Sequence, residues 1–134
     1  MKRLAVVLFL SSVVVLGCSQ ADANHHTPEG AVRLFIEGIA QEDARQVCDS
    51  LAPDTRKEYE KDTNSCEEFI KAHWKVLSGN KTVKEKKEIA KNYAYKAKNK
   101  KANDAVVLIS GAKNTNVECQ CTKVEGKWYL KNPC

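Results

Sequence analysis

The chain has 134 residues, of which 43% are hydrophobic and 29% charged, with six cysteines and a formal net charge of +5. One domain accounts for that length, and so ordinary a composition excludes disordered, collagen-like and solenoid classes. Only 7% of the residues are aromatic, so a core has to lean on aliphatic side chains and cysteines.

The chain starts with Lys2 and Arg3, followed by an uncharged run from Leu4 to Leu16. That run is too short to cross a bilayer core of ~30 Å comfortably. A basic start, a short apolar stretch and a small residue near the end describe a secretory signal. Val15-Leu16-Gly17-Cys18 resembles the lipobox of bacterial lipoproteins, although Leu16 is larger than the alanine or serine commonest at that place. The resemblance implies that residues 1–17 are a signal peptide removed before Cys18, whose thiol then carries the lipid. The alternatives are a plain signal peptide with Cys18 incidental, or an uncleaved anchor. Each buried methylene contributes ~0.8 kcal/mol, so several acyl chains together hold firmly. The implied location is the cell envelope. With Ser19 after the anchor, that means the outer membrane of a Gram-negative source, and otherwise the outer face of the cytoplasmic membrane.

Without the leader, 20 basic and 17 acidic residues remain, net +3. Residues 19–70 carry 5 basic and 12 acidic side chains, net −7, whereas residues 71–134 carry 15 and 5, net +10. The basic half suits anionic headgroups or an acidic partner. The plainer alternative is a lysine-coated sheet surface opposite an acidic helical layer. Export removes nucleic acid from the expected partners.

Residues 18–26 are small and polar and read as a tether, with His25 and His26 solvated rather than metal-binding. A single domain then covers residues 27–134. Thr27-Pro28-Glu29 starts a helix with a cap, an N1 proline and an acid at the positive end. Val32, Phe35, Ile36 and Ile39 form its apolar stripe. Gln41-Glu42-Asp43 breaks and restarts the helix. Ala44, Val47, Cys48 and Leu51 repeat the stripe until Pro53, and a short charged helix follows over residues 54–61. Ser65-Cys66-Glu67-Glu68 is a capping box opening a helix with Cys66, Phe69, Ile70, His73 and Leu77 on one stripe. Ser78-Gly79-Asn80 stops it.

Beyond residue 80 the reading turns to strands. Residues 82–89 are expected as a lysine-rich edge strand, and Tyr93 to Lys96 as a second strand. Residues 105–110, Ala-Val-Val-Leu-Ile-Ser, form a central strand. Residues 116–124 and 127–131 form a hairpin about Glu125-Gly126. A two-residue loop there sets Val124 opposite Lys127, Lys123 opposite Trp128 and Cys121 opposite Leu130. One face then carries Val117, Cys119, Cys121, Trp128, Leu130 and Cys134, and the helical stripes must cover it.

Five cysteines remain in an exported chain, where disulfides are permitted, and an odd count leaves one thiol or an intermolecular bridge. Cys48 and Cys66 lie on neighbouring helices and are paired. Cys134 goes to Cys119 or Cys121. The register places it diagonal to Cys119, which favours Cys119–Cys134 with Cys121 a buried thiol. Cys-x-Cys with a distant third cysteine matches no metal site well, so no metal is expected.

The stretches Thr27 to Ile36 and Asp43 to Leu51, with the closing Val124-Glu125-Gly126-Lys127-Trp128-Tyr129-Leu130, resemble small bacterial lipoproteins with a nuclear-transport-factor-2-like domain. Cysteines on the second and third helices recur in that group. The resemblance implies an α+β fold in which N-terminal helices pack on a curved antiparallel sheet, forming a cone with a pocket. The group is largely of unknown function.

Few residues suggest chemistry. An acid and a base must converge for proton transfer. His73 reads as a packed histidine, Tyr93 and Tyr95 as packing residues, and Glu118 as solvated. Cys121 sits on an apolar face, which raises a thiol pKa rather than activating it. No nucleophile elbow, phosphate loop or zinc-protease motif is present. Catalytic residues and cofactors are therefore not expected. The expectation is a non-catalytic binding or accessory module for an envelope protein, a peptide or a small apolar ligand. The alternative is an interaction factor such as an inhibitor or immunity lipoprotein, and a small isomerase or dehydratase comes last. A deep apolar cavity would favour ligand binding. An interior plugged by Trp74, Trp128 or Phe69 would favour protein contact.

Overall fold

The computed structural model describes residues 24–111 and 116–134. The leader, Cys18 and most of the expected tether lie outside the described residues. The fold is α+β. Among the described residues, six helices, α1 (Pro28–Gln41), α2 (Ala44–Ser50), α3 (Pro53–Glu60), α4 (Cys66–Ala72), α5 (Trp74–Ser78) and α6 (Val83–Lys91), precede the sheet. Its strands β1 (Ala94–Lys98), β2 (Asp104–Ser110), β3 (Asn116–Val124) and β4 (Lys127–Leu130) form an antiparallel meander in that order.

α1 begins where its local chemistry dictates. Thr27 is extended, its hydroxyl accepts the Gly30 N–H at 3.0 Å, and Pro28 needs no donor at the first position. The helix ends at Glu42, whose φ of 57° lets its N–H reach back to the Gly38 carbonyl. α1 packs against all four strands, α2 and α6. Val32 and Phe35 are fully buried, and Val47, Leu51, Ile70, Val107, Cys119, Trp128 and Leu130 complete the core.

The β3–β4 hairpin has the expected register, with Val124 opposite Lys127, Lys123 opposite Trp128 and Cys121 opposite Leu130. Glu125 and Gly126 take φ of 50° and 80°. This two-residue turn needs positive φ at both places, which glycine supplies without strain. β4 has a second side, and two separate segments close it. The Trp128 N–H donates to the His25 carbonyl at 2.8 Å, and the Ala52 N–H donates to the Leu130 carbonyl at 2.8 Å.

Two disulfides staple these layers. Cys48–Cys66 ties α2 to α4, and Cys119–Cys134 ties β3 to the end of the chain, while Cys121 is a buried free thiol.

Three expectations are corrected. Residues 82–89 are not an edge strand but most of α6. A reciprocal capping box starts it: Glu85 N–H donates to the Thr82 hydroxyl at 3.3 Å, and Thr82 N–H donates to the Glu85 carboxylate at 2.8 Å. The single stripe expected from Cys66 to Leu77 divides at His73, where ψ of 12° ends α4 before α5 begins. His25 is not a solvated tether residue. It is buried, its Nδ1 donates to the Trp128 carbonyl, and its ring lies 4.5 Å from that of Tyr129.

Candidate functional site

The residues singled out for chemistry are placed apart. His73 is exposed, contrary to its expected packing. Its Nδ1 donates to the Phe69 carbonyl at 2.9 Å and its ring stacks on Phe69. Glu118 is exposed and faces Lys98 at 4.0 Å. Tyr95 lies half-buried beneath the Arg33 guanidinium, 5.3 Å from the ring centre, and burial pushes its hydroxyl up to about 12. Tyr93 packs against Gly111 at the other end of the strand pair. Cys121 points into the core, its Sγ 3.8 Å from the Pro28 carbonyl. Burial first, and the nearby Glu29 charge second, raise its pKa to about 12. A thiol held that high is protonated at neutral pH and unreactive. Among the described residues, no three His, Cys, Asp or Glu side chains are grouped to hold a metal ion.

The space between α1 and the sheet is filled. Trp128, Phe35, Leu130 and Val107 are each at most 2% exposed and meet in one cluster. Of the plugs weighed from the sequence, Trp128 is the one that fills this space, while Phe69 and Trp74 lie at its edge, partly buried.

Several open grooves flank α1, and two of them differ most in character. The larger, about 590 Å³, is lined by Arg33, Glu37, Asp43, Arg45 and Asp49. Two basic and three acidic side chains line it, so their charges largely offset one another. The smaller, about 240 Å³, runs over the second half of α1. Ile36 and Ile39 form its floor, Leu77, Ile89 and Tyr93 its walls, and Lys81 and Lys86 its polar rim. It falls below the usual ~300–1,000 Å³ of a small-molecule site.

At the rim of this groove the Lys86 ammonium is buried and meets the Glu42 carboxylate at 2.7 Å. The hydrogen bond from Lys86 holds the Glu42 carboxyl below its ordinary value of 4.5, and Trp74 adds to the shift. The buried Trp74 indole N–H, near enough to that carboxylate to lower its pKa, makes no hydrogen bond of its own. Lys86 is therefore spent on an internal ion pair, unlike Lys84 and Lys87 beside it, which are exposed. Sequence reasoning missed this pair because the segment was read as a strand, which would turn Lys86 outward. The Thr82-x-x-Glu85 capping box was the available signal. Val76, on α5, is 84% exposed, the barest large apolar side chain among the described residues.

No protein-family model, curated protein or solved structure matches the chain. The disulfides fit an extracytoplasmic location. Among the described residues, no helix is long and apolar enough to cross a membrane.

Proposed function

We propose that this chain is a lipoprotein, held by acyl chains on Cys18 at an extracytoplasmic membrane surface, whose domain acts as a non-catalytic binding module through contact with another envelope protein. The observation that carries the reading is the filled interior. Trp128 and Phe35 occupy the space a small apolar ligand would need, which leaves the outer surface for recognition. The apolar groove over α1, with Val76 standing clear of the neighbouring α5, is the part of that surface best suited to an apolar anchor from a partner. We read the fold as a small form of the nuclear-transport-factor-2-like cone, supported by one long first helix lying across every strand of an antiparallel sheet.

Metabolic labelling with a palmitate analogue tests the anchor. The natural chain takes up label, and Cys18→Ser loses it and releases the domain from membranes; continued labelling of Cys18→Ser overturns the anchor. A photo-crosslinking residue at Val76, in intact envelopes, tests the contact. A discrete adduct with one envelope protein supports it. A small molecule retained by the native protein in mass spectrometry, with no adduct at Val76, replaces it with ligand binding.

A further inference from the structure

The chain enters the domain at one particular end of the sheet. His25 is fixed to Trp128 through both its carbonyl and its ring nitrogen, so residues 24 and 25 lie beside the first residues of β4. Gly30 secures the same entry, since a Cβ there would overlap the Asn24 carbonyl. Six peptide steps separate Cys18 from Asn24, a reach of at most about 20 Å. Whatever surface holds Cys18 is therefore close to this end of the domain.

The same end holds two reversals of the meander, β1 to β2 and β3 to β4. β1 ends at Lys98 and β2 starts at Asp104, while β3 ends at Val124 and β4 starts at Lys127. The two reversals are joined: the Lys123 N–H donates to the Asn103 carbonyl at 2.8 Å. Lys100 from the first and Lys123 from the second both lie over the Trp128 ring, at 5.9 and 5.8 Å from its centre. Lys98, Lys100, Lys101, Lys123 and Lys127 gather here, against the acids Asp104, Glu125 and Glu29, whose carboxylate accepts the Ala97 N–H at 3.0 Å. Glu118 reaches Lys98 from further along the sheet at 4.0 Å.

We infer that this end of the sheet, through Lys98, Lys100, Lys101 and Lys123, docks on the anionic bilayer that holds the anchor; the inference rests on the lipid at Cys18 proposed above. Two observations on the molecule select a lipid surface over an acidic protein. The short link brings these lysines to the bilayer whatever else is present. They also lie at the tips of two joined reversals, which a flat charged surface can meet together. Contact with anionic headgroups decays within about a Debye length, ~8 Å at physiological salt, a distance well inside the reach of the link. Docked this way, the molecule stands with the N-terminal end of α1 toward the membrane. The groove over its second half then faces away.

The test uses the mature lipidated protein in vesicles of phosphatidylcholine alone, or with one part in about three phosphatidylglycerol, which sets a surface charge of the kind polybasic segments respond to. A fluorophore on Ala102→Cys, at the exposed tip of the first reversal, is quenched by nitroxide lipids when that tip meets the bilayer. Quenching is expected to rise severalfold on the anionic vesicles and to return to the neutral level at about 0.5 M salt. Each lysine contributes roughly a fivefold factor in partitioning, so Lys100→Gln with Lys101→Gln and Lys123→Gln abolishes the rise. Lys71→Gln with Lys84→Gln and Lys87→Gln, elsewhere on the surface, retains it. Equal quenching on both vesicles overturns the inference, as does a rise that survives the first triple substitution. An acidic protein restoring contact on neutral vesicles would overturn it in favour of a protein partner. Flotation with neutral vesicles reports the anchor by itself. If it fails, the anchor falls, and the lysine end is still judged on anionic vesicles: salt-sensitive flotation there supports docking, and none overturns it.

Discussion

The two ends of α1 use the same residue type for opposite purposes. At its beginning, Lys100 and Lys101 at the tips of the sheet are exposed, and Lys100 and the half-buried Lys123 rest on the Trp128 ring. At its end, Lys86 is buried and committed to Glu42. About 21 Å of helix separates the two settings, at 1.5 Å per residue. The contrast teaches that the +10 balance of residues 71–134 is not one basic surface. Part of it holds α6 against α1, and part of it faces outward.

The largest effect that would sharpen this contrast concerns the helical layer behind the far end. Replacing Cys48 and Cys66 by alanine together removes a bridge closing 18 residues of sequence separation. It should cost about 3 kcal/mol in urea unfolding, while vesicle docking at the near end is unchanged in protein that stays folded. Next, Lys86→Ala should lose roughly 1–2 kcal/mol through lost packing and a broken ion pair. Lys101→Ala, fully at the surface, should stay within about 0.5 kcal/mol of the natural chain. Equal losses in the two variants would erase the distinction between the ends.

A smaller effect is visible only against pH. Glu42 has its folded pKa depressed below the ordinary 4.5 by Lys86. Its contribution is therefore present above the unfolded value and is lost as pH falls through the folded one. Urea midpoints for Glu42→Gln should lie below those of the natural chain at pH 7 and converge with them in acid. A constant gap at every pH would remove Glu42 from the account. The smallest effect on stability is Val76→Asp, within about 0.5 kcal/mol because the side chain is 84% exposed. The same change should nevertheless weaken crosslinking to a partner at that end, and undiminished crosslinking would move the contact elsewhere.

Much of the fold is legible where the signal is local. The Thr27 and Ser65 caps, the Glu125-Gly126 turn and the alternation on both sides of it determine element starts and register without distant contacts. That register also places Cys134 nearer Cys119 than Cys121, the pairing the protein adopts. The errors have two sources. For residues 82–89, dense lysine hid a helical stripe of Val83, Lys86 and Ala90, and a lysine on the buried face is not something a hydropathy pattern marks. For His25, the deciding partner is 103 residues away, so a polar stretch near the start reads as linker. The break at His73 is a matter of backbone angle that a continuous apolar stripe conceals. The candidate site was less legible than the fold, because the groove over α1 is assembled from α1, α5, α6, Tyr93 and Cys134, and most of its character depends on where α6 lies.

The closure of β4 has a consequence under the membrane anchor proposed above. Copies tethered to one bilayer meet far more often than copies free in solution, and a strand with an open row of amides and carbonyls invites its neighbour to add on. Here that row is occupied from within the same chain, at Trp128 by His25 and at Leu130 by Ala52. Copies brought together in any way therefore find no ready template on that side of the sheet for chain-to-chain growth.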